Sequence, residues 1–408
     1  MNYDLIIIGM GLSGLMAAKT AVELGKKVLI LGKGIGSLSL FSNTIDVLGQ
    51  SPKEVKMRDS LSQWIKDHPE HPYSKVGPER IEEALSSFLS LFPPSYSFQA
   101  IGSSNSLIPT GAGTLRPTYL IPMTMIEGIF FGKGDTLIAG IKGFKDFYAH
   151  YIADHLKCRG IILSLPDAPY QEMTATALAR LMEKKSFRDS IGREIKKQLH
   201  GEIRIGFPAL LGIHDPIQVK EELEKTIGAK VFEIPTLPPS IPGMRIFYHF
   251  KQWLIQKGCT FLLGYPVSKA TLKGKRCEGI ELLHPPLITT HSADRYILAT
   301  GRFIGGGLKA DMERVSEPIF NLPVYQPKSQ EDWFRNNFFD GPSHPIHQAG
   351  ILVDSSFRPV DERRDPILEN VGVAGSILAH HHCIDEKSRE GIEISTGYMA
   401  AKHALENS

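Results

Sequence analysis

Gly9, Gly11 and Gly14 define the chemistry open to this chain. They lie in Gly9-Met10-Gly11-Leu12-Ser13-Gly14, the spacing G-x-G-x-x-G. The first glycine permits a tight turn, the second lets a pyrophosphate approach the backbone, and the third lets a helix pack closely on a strand. The pattern holds a dinucleotide only between a strand and a helix, because the helix N-terminus then offers free N–H groups and its positive dipole end. Both elements are legible. Residues 3–8 are a short apolar run, read as a buried parallel strand. Residues 12–24 place Leu15, Ala18 and Val22 at helical spacing, with Gly25 as the stop, and 27–31 is a second apolar strand. Strand, helix and strand fit one βαβ unit of about 30 residues. Gly9, Gly11, Leu12, Ser13 and Gly14 are therefore expected to hold a dinucleotide.

A ribose-binding Asp or Glu belongs about 20 residues further on, at the end of the second strand. Gly32 and Lys33 stand there, with no carboxylate. Adenosine ribose is then held by other groups, or the ligand lacks adenosine, which leaves FAD and FMN both open. Gly111-Ala112-Gly113 and Gly305-Gly306-Gly307 have the wrong spacing for a second fingerprint. A single fingerprint disfavours a flavoenzyme fed by NAD(P)H. A strand ending in Ala299-Thr300-Gly301 and another ending at Gly375 both point back to the nucleotide site, favouring a flavin and FAD in particular. Ser39, Ser42 and Asn43 follow the second strand and either hydrogen-bond the flavin or serve as turns and caps. Ser395 and Thr396, near the start of the last helix, join the candidate cofactor contacts.

The remaining elements have to carry this unit. At 408 residues the chain has length for two or three domains. Residues 51–242 are broken by Pro93-Pro94 and Pro122, contain helical patterns at 80–91 and 143–155, and end in the proline-rich run 235–242. This reads as an inserted domain. From 244 a helix presents Ile246, Phe247, Phe250, Trp253 and Leu254 and stops at Gly258. Strands follow at 267–272, 277–283 and 287–290, with a turn at Gly274-Lys275 and a break at Pro285-Pro286. Further strands fall at 294–299, 350–353 and 371–374, and a last helix at 391–404. The expectation is an α/β fold: a discontinuous Rossmann-like FAD-binding domain (1–50 and 243–408), mainly parallel sheet with a small antiparallel meander, and an inserted α+β cap domain (51–242).

Composition excludes several classes. Lysines and arginines number 46 against 44 acidic residues, a net charge of +2, which makes no case for nucleic acid or an anionic membrane surface. Cys158, Cys259, Cys277 and Cys383 form no C-x-x-C pair, so neither a metal site, an iron–sulfur cluster nor a disulfide framework is expected. No apolar run reaches about 18 residues, and Met1-Asn2-Tyr3-Asp4 lacks the basic start of a signal peptide. The reading is a cytoplasmic chain without a membrane span.

The chain resembles the B subunit family of bacterial and archaeal anaerobic glycerol-3-phosphate dehydrogenases, flavoproteins related to the flavin subunits of fumarate reductases. The resemblance runs through Gly9–Gly14, 41–46, 113–118, 143–147, 207–209, 235–243, 299–307 and 372–375. It implies a complex with a catalytic A subunit and a membrane-associated iron–sulfur C subunit, with this chain peripheral at the inner membrane face through a partner. It further implies that sn-glycerol 3-phosphate, a small anion, is oxidised to dihydroxyacetone phosphate and that electrons pass towards quinone. Rival readings are a stand-alone flavin dehydrogenase of another hydroxy acid or a fumarate-like acceptor, and a flavin-free scaffold. The chain departs from the family's glycine-rich C-terminal pattern at Ala379-His380-His381-His382-Cys383 and at 389–397, placing bulky side chains where close approach to a cofactor is expected.

Four residues are candidates for catalysis. His380 and His381 could carry a proton beside a flavin, the unperturbed imidazole pKa being about 6.5; otherwise they belong to a polar loop. Arg116, in a Gly/Pro/Thr-rich loop, suits a phosphate or carboxylate or ties down its own loop. Arg389, like Arg245, is read as an anion ligand or a surface ion pair. Asp46 is read as a cap in preference to a base, and Trp333, Phe334, Phe338 and Phe339 as core or subunit contact.

Overall fold

The apolar run Tyr3–Ile8 forms β1, the middle strand of a five-stranded parallel sheet in a computed structural model. The structure describes residues 3–52, 54–132, 134–164, 172–284, 287–337 and 343–406. Leu5, Ile6 and Ile7 are fully buried because both faces of the sheet are covered, as parallel sheets require. The sheet runs Thr260–Leu263, β2 (Val28–Gly32), β1, Ala293–Leu298, Val371–Val373. Ile8 pairs with Leu31 on one side and Leu298 on the other, so the C-terminal ends of three strands reach one edge together. Helix α1 (Leu12–Glu23) follows β1 directly and packs against the C-terminal helix Arg389–Glu406.

A second parallel sheet lies between residues 136 and 234, in the order Lys230–Ile234, Arg204–Pro208, Thr136–Ile141, Arg159–Leu163. It has its own apolar core, from Leu137 through Phe207 to Ile241. The change of composition near residue 51 does not mark where the cores part. Helices α2 (Met57–Asp67), α3 (Pro72–Val76) and α4 (Pro78–Leu89) bury Leu61, Tyr73, Ile81 and Phe88 in the first core. The stripe Ile81, Ala84, Leu85, Phe88 at helical spacing gives α4 one apolar face, and the C-terminal helix receives it.

The helix Ile241–Gln256 begins three residues before the sequence pattern suggests, because Ser240 caps it by accepting the Gly243 N–H and Pro242 suits the first turn. It joins the two cores. Arg245, read from sequence as an anion ligand or surface pair, is fully buried and donates to both Glu233 carboxylate oxygens at 2.7 Å. The meander follows as Val267–Lys273, Arg276–His284 and Leu287–His291. Pro285, Pro286, Phe338, Phe339 and the first two residues lie outside the described residues. Trp333 is buried and Phe334 exposed. Among the described residues no group of His, Cys, Asp or Glu could hold a metal, and no helix is long and apolar enough to cross a membrane.

Candidate cofactor cradle and anion cleft

The turn between β1 and α1 shows three glycines with three separate duties. Gly9 has φ +123, and a Cβ there would lie 2.1 Å from the Ala299 carbonyl oxygen. A Cβ on Gly14 would lie 1.9 Å from the Gly9 carbonyl oxygen, so this glycine sets how closely α1 approaches the strand end. Gly11 differs. Its φ is −72, and a Cβ there would meet no atom within 4 Å. The open space lies at the N-terminus of α1, where no side chain caps the first turn. The hydroxyls of Ser13 and Thr300 are buried without a partner. Uncapped N–H groups, an open face and two orphaned hydroxyls together fit an anion.

The other strand ends close around this turn. The Ala299 N–H donates to the Ile8 carbonyl at 2.8 Å and the Ala374 N–H to Leu298 at 3.0 Å. Gly301 (φ +70) and Gly375 (φ +85) turn the chain away, and a Cβ on Gly375 would lie 2.7 Å from Ser13 Cβ. The structure thus brings Gly9, Gly11, Leu12, Ser13, Gly14, Ala299, Thr300, Gly301 and Gly375 together. Gly32 closes against Met10, where a Cβ would lie 3.0 Å from the Met10 amide, while Lys33 is exposed.

Other candidates have local employment. Ser39 Oγ donates to Gly36 O at 3.2 Å, and Ser42 Oγ is 3.4 Å from Thr44 Oγ1. The Asn43 amide donates to the Leu38 and Phe41 carbonyls and to Ser240 Oγ, tying the loop after β2 to the cap of helix Ile241–Gln256. Ser395 and Thr396 hydroxyls each donate 2.6 Å to a carbonyl one turn earlier. Thr396 Oγ1 also accepts the Gly375 N–H, so it fixes the Gly375 turn.

At the start of the C-terminal helix is an open cleft of about 290 Å³, lined by Phe41, Thr110, Thr114, Arg116, Lys387 and Arg389 among others. Arg116 pairs with the buried Asp46. Arg389 pairs with Glu390, and its guanidinium lies 3.7 Å from the centre of the Phe41 ring. Burial pushes the Asp46 carboxyl up to about 6; nearby Glu390 adds to the shift and Arg116 opposes it. The arginines thus belong to a buried charge cluster with Asp46, Glu390 and Glu393. Glu390, Glu393 and Lys387 are not among the residues that the sequence singles out for catalysis or binding. The run Arg389-Glu390-Gly391-Ile392-Glu393 is visibly charged, but only packing shows that this helix start is covered on every side.

The histidines are elsewhere. His380 and His381 do not line the cleft. His380 has φ +63 and packs its ring 4.2 Å from Tyr325. His381 is fully buried, and burial holds it well below the ordinary histidine pKa. His382 stacks on His347 at 4.4 Å and bonds Ser343, so the triplet builds a wall of the fold. The reason is the loop holding Ser343 and His347, which packs over it and is distant in sequence.

A family model described as FAD binding domain matches residues 4–388. The chain is 30% identical to the B subunit of the probable anaerobic glycerol-3-phosphate dehydrogenase of Halobacterium salinarum, over 99% of this chain and 98% of that one. It is 28% identical to the B subunit of the anaerobic glycerol-3-phosphate dehydrogenase of Aliivibrio fischeri, over 100% and 96%. Among solved structures, 3-ketosteroid delta1-dehydrogenase from Sterolibacterium denitrificans aligns over the whole of both chains, with 11% identity and a TM-score of 0.48, too distant to bear on function. The uncapped α1, the open face of Gly11 and the unpartnered Ser13 and Thr300 hydroxyls fit the diphosphate of FAD.

Proposed function

The chain belongs to the FAD binding domain family and to the B subunit family of anaerobic glycerol-3-phosphate dehydrogenases, and from this premise we propose that it is the flavin-holding subunit of a complex oxidising sn-glycerol 3-phosphate to dihydroxyacetone phosphate. The observation that carries the reading is that one helix, Arg389–Glu406, serves both features: Arg389 at its start lines the cation-bearing cleft, and Gly397 further along abuts Ser13 of the diphosphate cradle. FAD, when bound, supplies a hydride acceptor for the carbinol carbon. The first turn of α1, with Ser13 and Thr300, holds the diphosphate by N–H and O–H donation. Arg116, Lys387 and Arg389 attract and orient an anionic substrate, the two arginine forks being suited to phosphate oxygens. The Arg389 guanidinium lies over the Phe41 ring, which helps to fix its direction before substrate arrives.

The four cysteines make no cluster motif, which supports electron exit through a separate iron–sulfur partner towards quinone, with membrane attachment through that partner and a catalytic A subunit in the same complex. The test is anaerobic. The flavin-loaded chain, alone and with its partner subunits, is mixed with glycerol 3-phosphate, and bleaching of the flavin absorption band is followed. Bleaching at substrate levels that leave glycerol without effect supports the reading. No bleaching in either preparation, with flavin bound, overturns it.

A further inference from the structure

The C-terminal helix lies so close to α1 that a Cβ on Gly397 would stand 2.3 Å from the Ser13 carbonyl oxygen. One turn earlier on the same face is Glu393, which is buried. Its Oε1 is 3.5 Å from Ser37 Oγ, and its Oε2 is buried without a partner. Ser37 follows Gly36, where a Cβ would touch Gly11 Cα at 2.9 Å. On the other side, a Cβ on Gly375 would lie 3.9 Å from Glu393 Cγ and 2.8 Å from Ser13 Oγ. The carboxyl is therefore bracketed by two segments that abut Gly11 and Ser13, the residues that open the cradle. An ionised carboxylate there draws on the same helix dipole that the cofactor's phosphates need, and it repels them.

We propose that Glu393 is an internal competitor for the diphosphate cradle, so that FAD enters fully only when this carboxyl is neutral. The inference rests on the FAD reading above and adds a residue that tunes cofactor loading. The groups acting on Glu393 are Arg389 and Glu390 from its own helix, Ser37 from the loop after β2, Ser376 from the turn after Val371–Val373, and Cys383 from the segment before the helix. Burial is the largest influence and, with Glu390, outweighs Arg389; the Glu393 carboxyl is pushed up to about 7. Below that pH the free chain holds the proton and the cradle faces no opposing charge. Above it, diphosphate binding must bring a proton back to Glu393.

The experiment measures FAD binding to flavin-stripped full-length chain between pH 6 and 9, by titration calorimetry in buffers of different ionisation enthalpy. For the wild-type chain, Kd rises about tenfold per pH unit above 7, and binding at pH 8 takes up close to one proton. In Glu393→Gln, and in the smaller Glu393→Ser, Kd is flat with pH, proton uptake vanishes, and FAD binds about tenfold more tightly than wild type at pH 8. Equal Kd and equal proton uptake in wild type and both variants overturn the inference and leave the flavin reading standing. If no chain takes FAD at any pH, both fall. If the variants lose their thermal transition, the wild-type calorimetry decides alone: no proton uptake at pH 8 overturns the proposal.

Discussion

Gly11→Val separates the cofactor's needs from those of the fold. At φ −72 and ψ 177 the backbone of residue 11 is one that valine adopts without strain, and no protein atom lies within 4 Å of the new Cβ. The folding cost is confined to the N-cap position, where valine is worse than glycine by about 0.5–1 kcal/mol. The cofactor loses far more. The branched side chain fills the space through which a phosphate reaches the first turn of α1, removing two charge-assisted N–H bonds of about 1.5–3 kcal/mol each. About 3–6 kcal/mol corresponds to a 10²- to 10⁴-fold weaker Kd. The assay pairs urea unfolding of the flavin-free chain with fluorescence titration by FAD. Near-wild-type unfolding with at least a hundredfold weaker FAD binding is expected. Unchanged FAD affinity would refute the placing of the diphosphate at Gly11.

Gly14→Ala gives the opposite pattern: a Cβ 1.9 Å from the Gly9 carbonyl oxygen forces α1 off the strand end, lowering stability by about 1–3 kcal/mol in urea unfolding of the flavin-free chain. Arg245→Met leaves Glu233 buried between the two cores without its cation; the same measurement should show a loss of about 3–5 kcal/mol. Arg116→Ala frees Asp46 and removes a fork from the cleft, so KM for glycerol 3-phosphate rises about 10- to 100-fold while FAD content holds; an unchanged KM places substrate elsewhere.

The glycine turn was legible because its three glycines have duties that no other residue meets in the same order, and the strand and helix beside it follow from periodicity. The meander was legible from alternating runs parted by turn residues. Other features depend on contacts between distant segments. The apolar stripe of α4 is plain in sequence, yet nothing local says that the C-terminal helix receives it. Asp46 and Arg116 meet across 70 positions. Ser395 and Thr396 have the right chemistry for cofactor contacts but spend their hydroxyl protons on their own helix. Glu393 stands in a visibly charged run, and only packing shows that the first half of its helix is buried. His380, His381 and His382 look like a polar loop until the segment carrying Ser343 and His347 folds over them.

Every functional role proposed for this chain depends on a dinucleotide flavin at the α1 N-terminus. The most direct measurement is an absorbance spectrum of the chain purified and reconstituted with FAD at pH 6, followed by denaturation and chromatography of the released flavin. About one FAD per chain is expected in the wild type, and loss of that FAD in Gly11→Val. A colourless wild-type chain after reconstitution, or FAD retained equally by Gly11→Val, would contradict it.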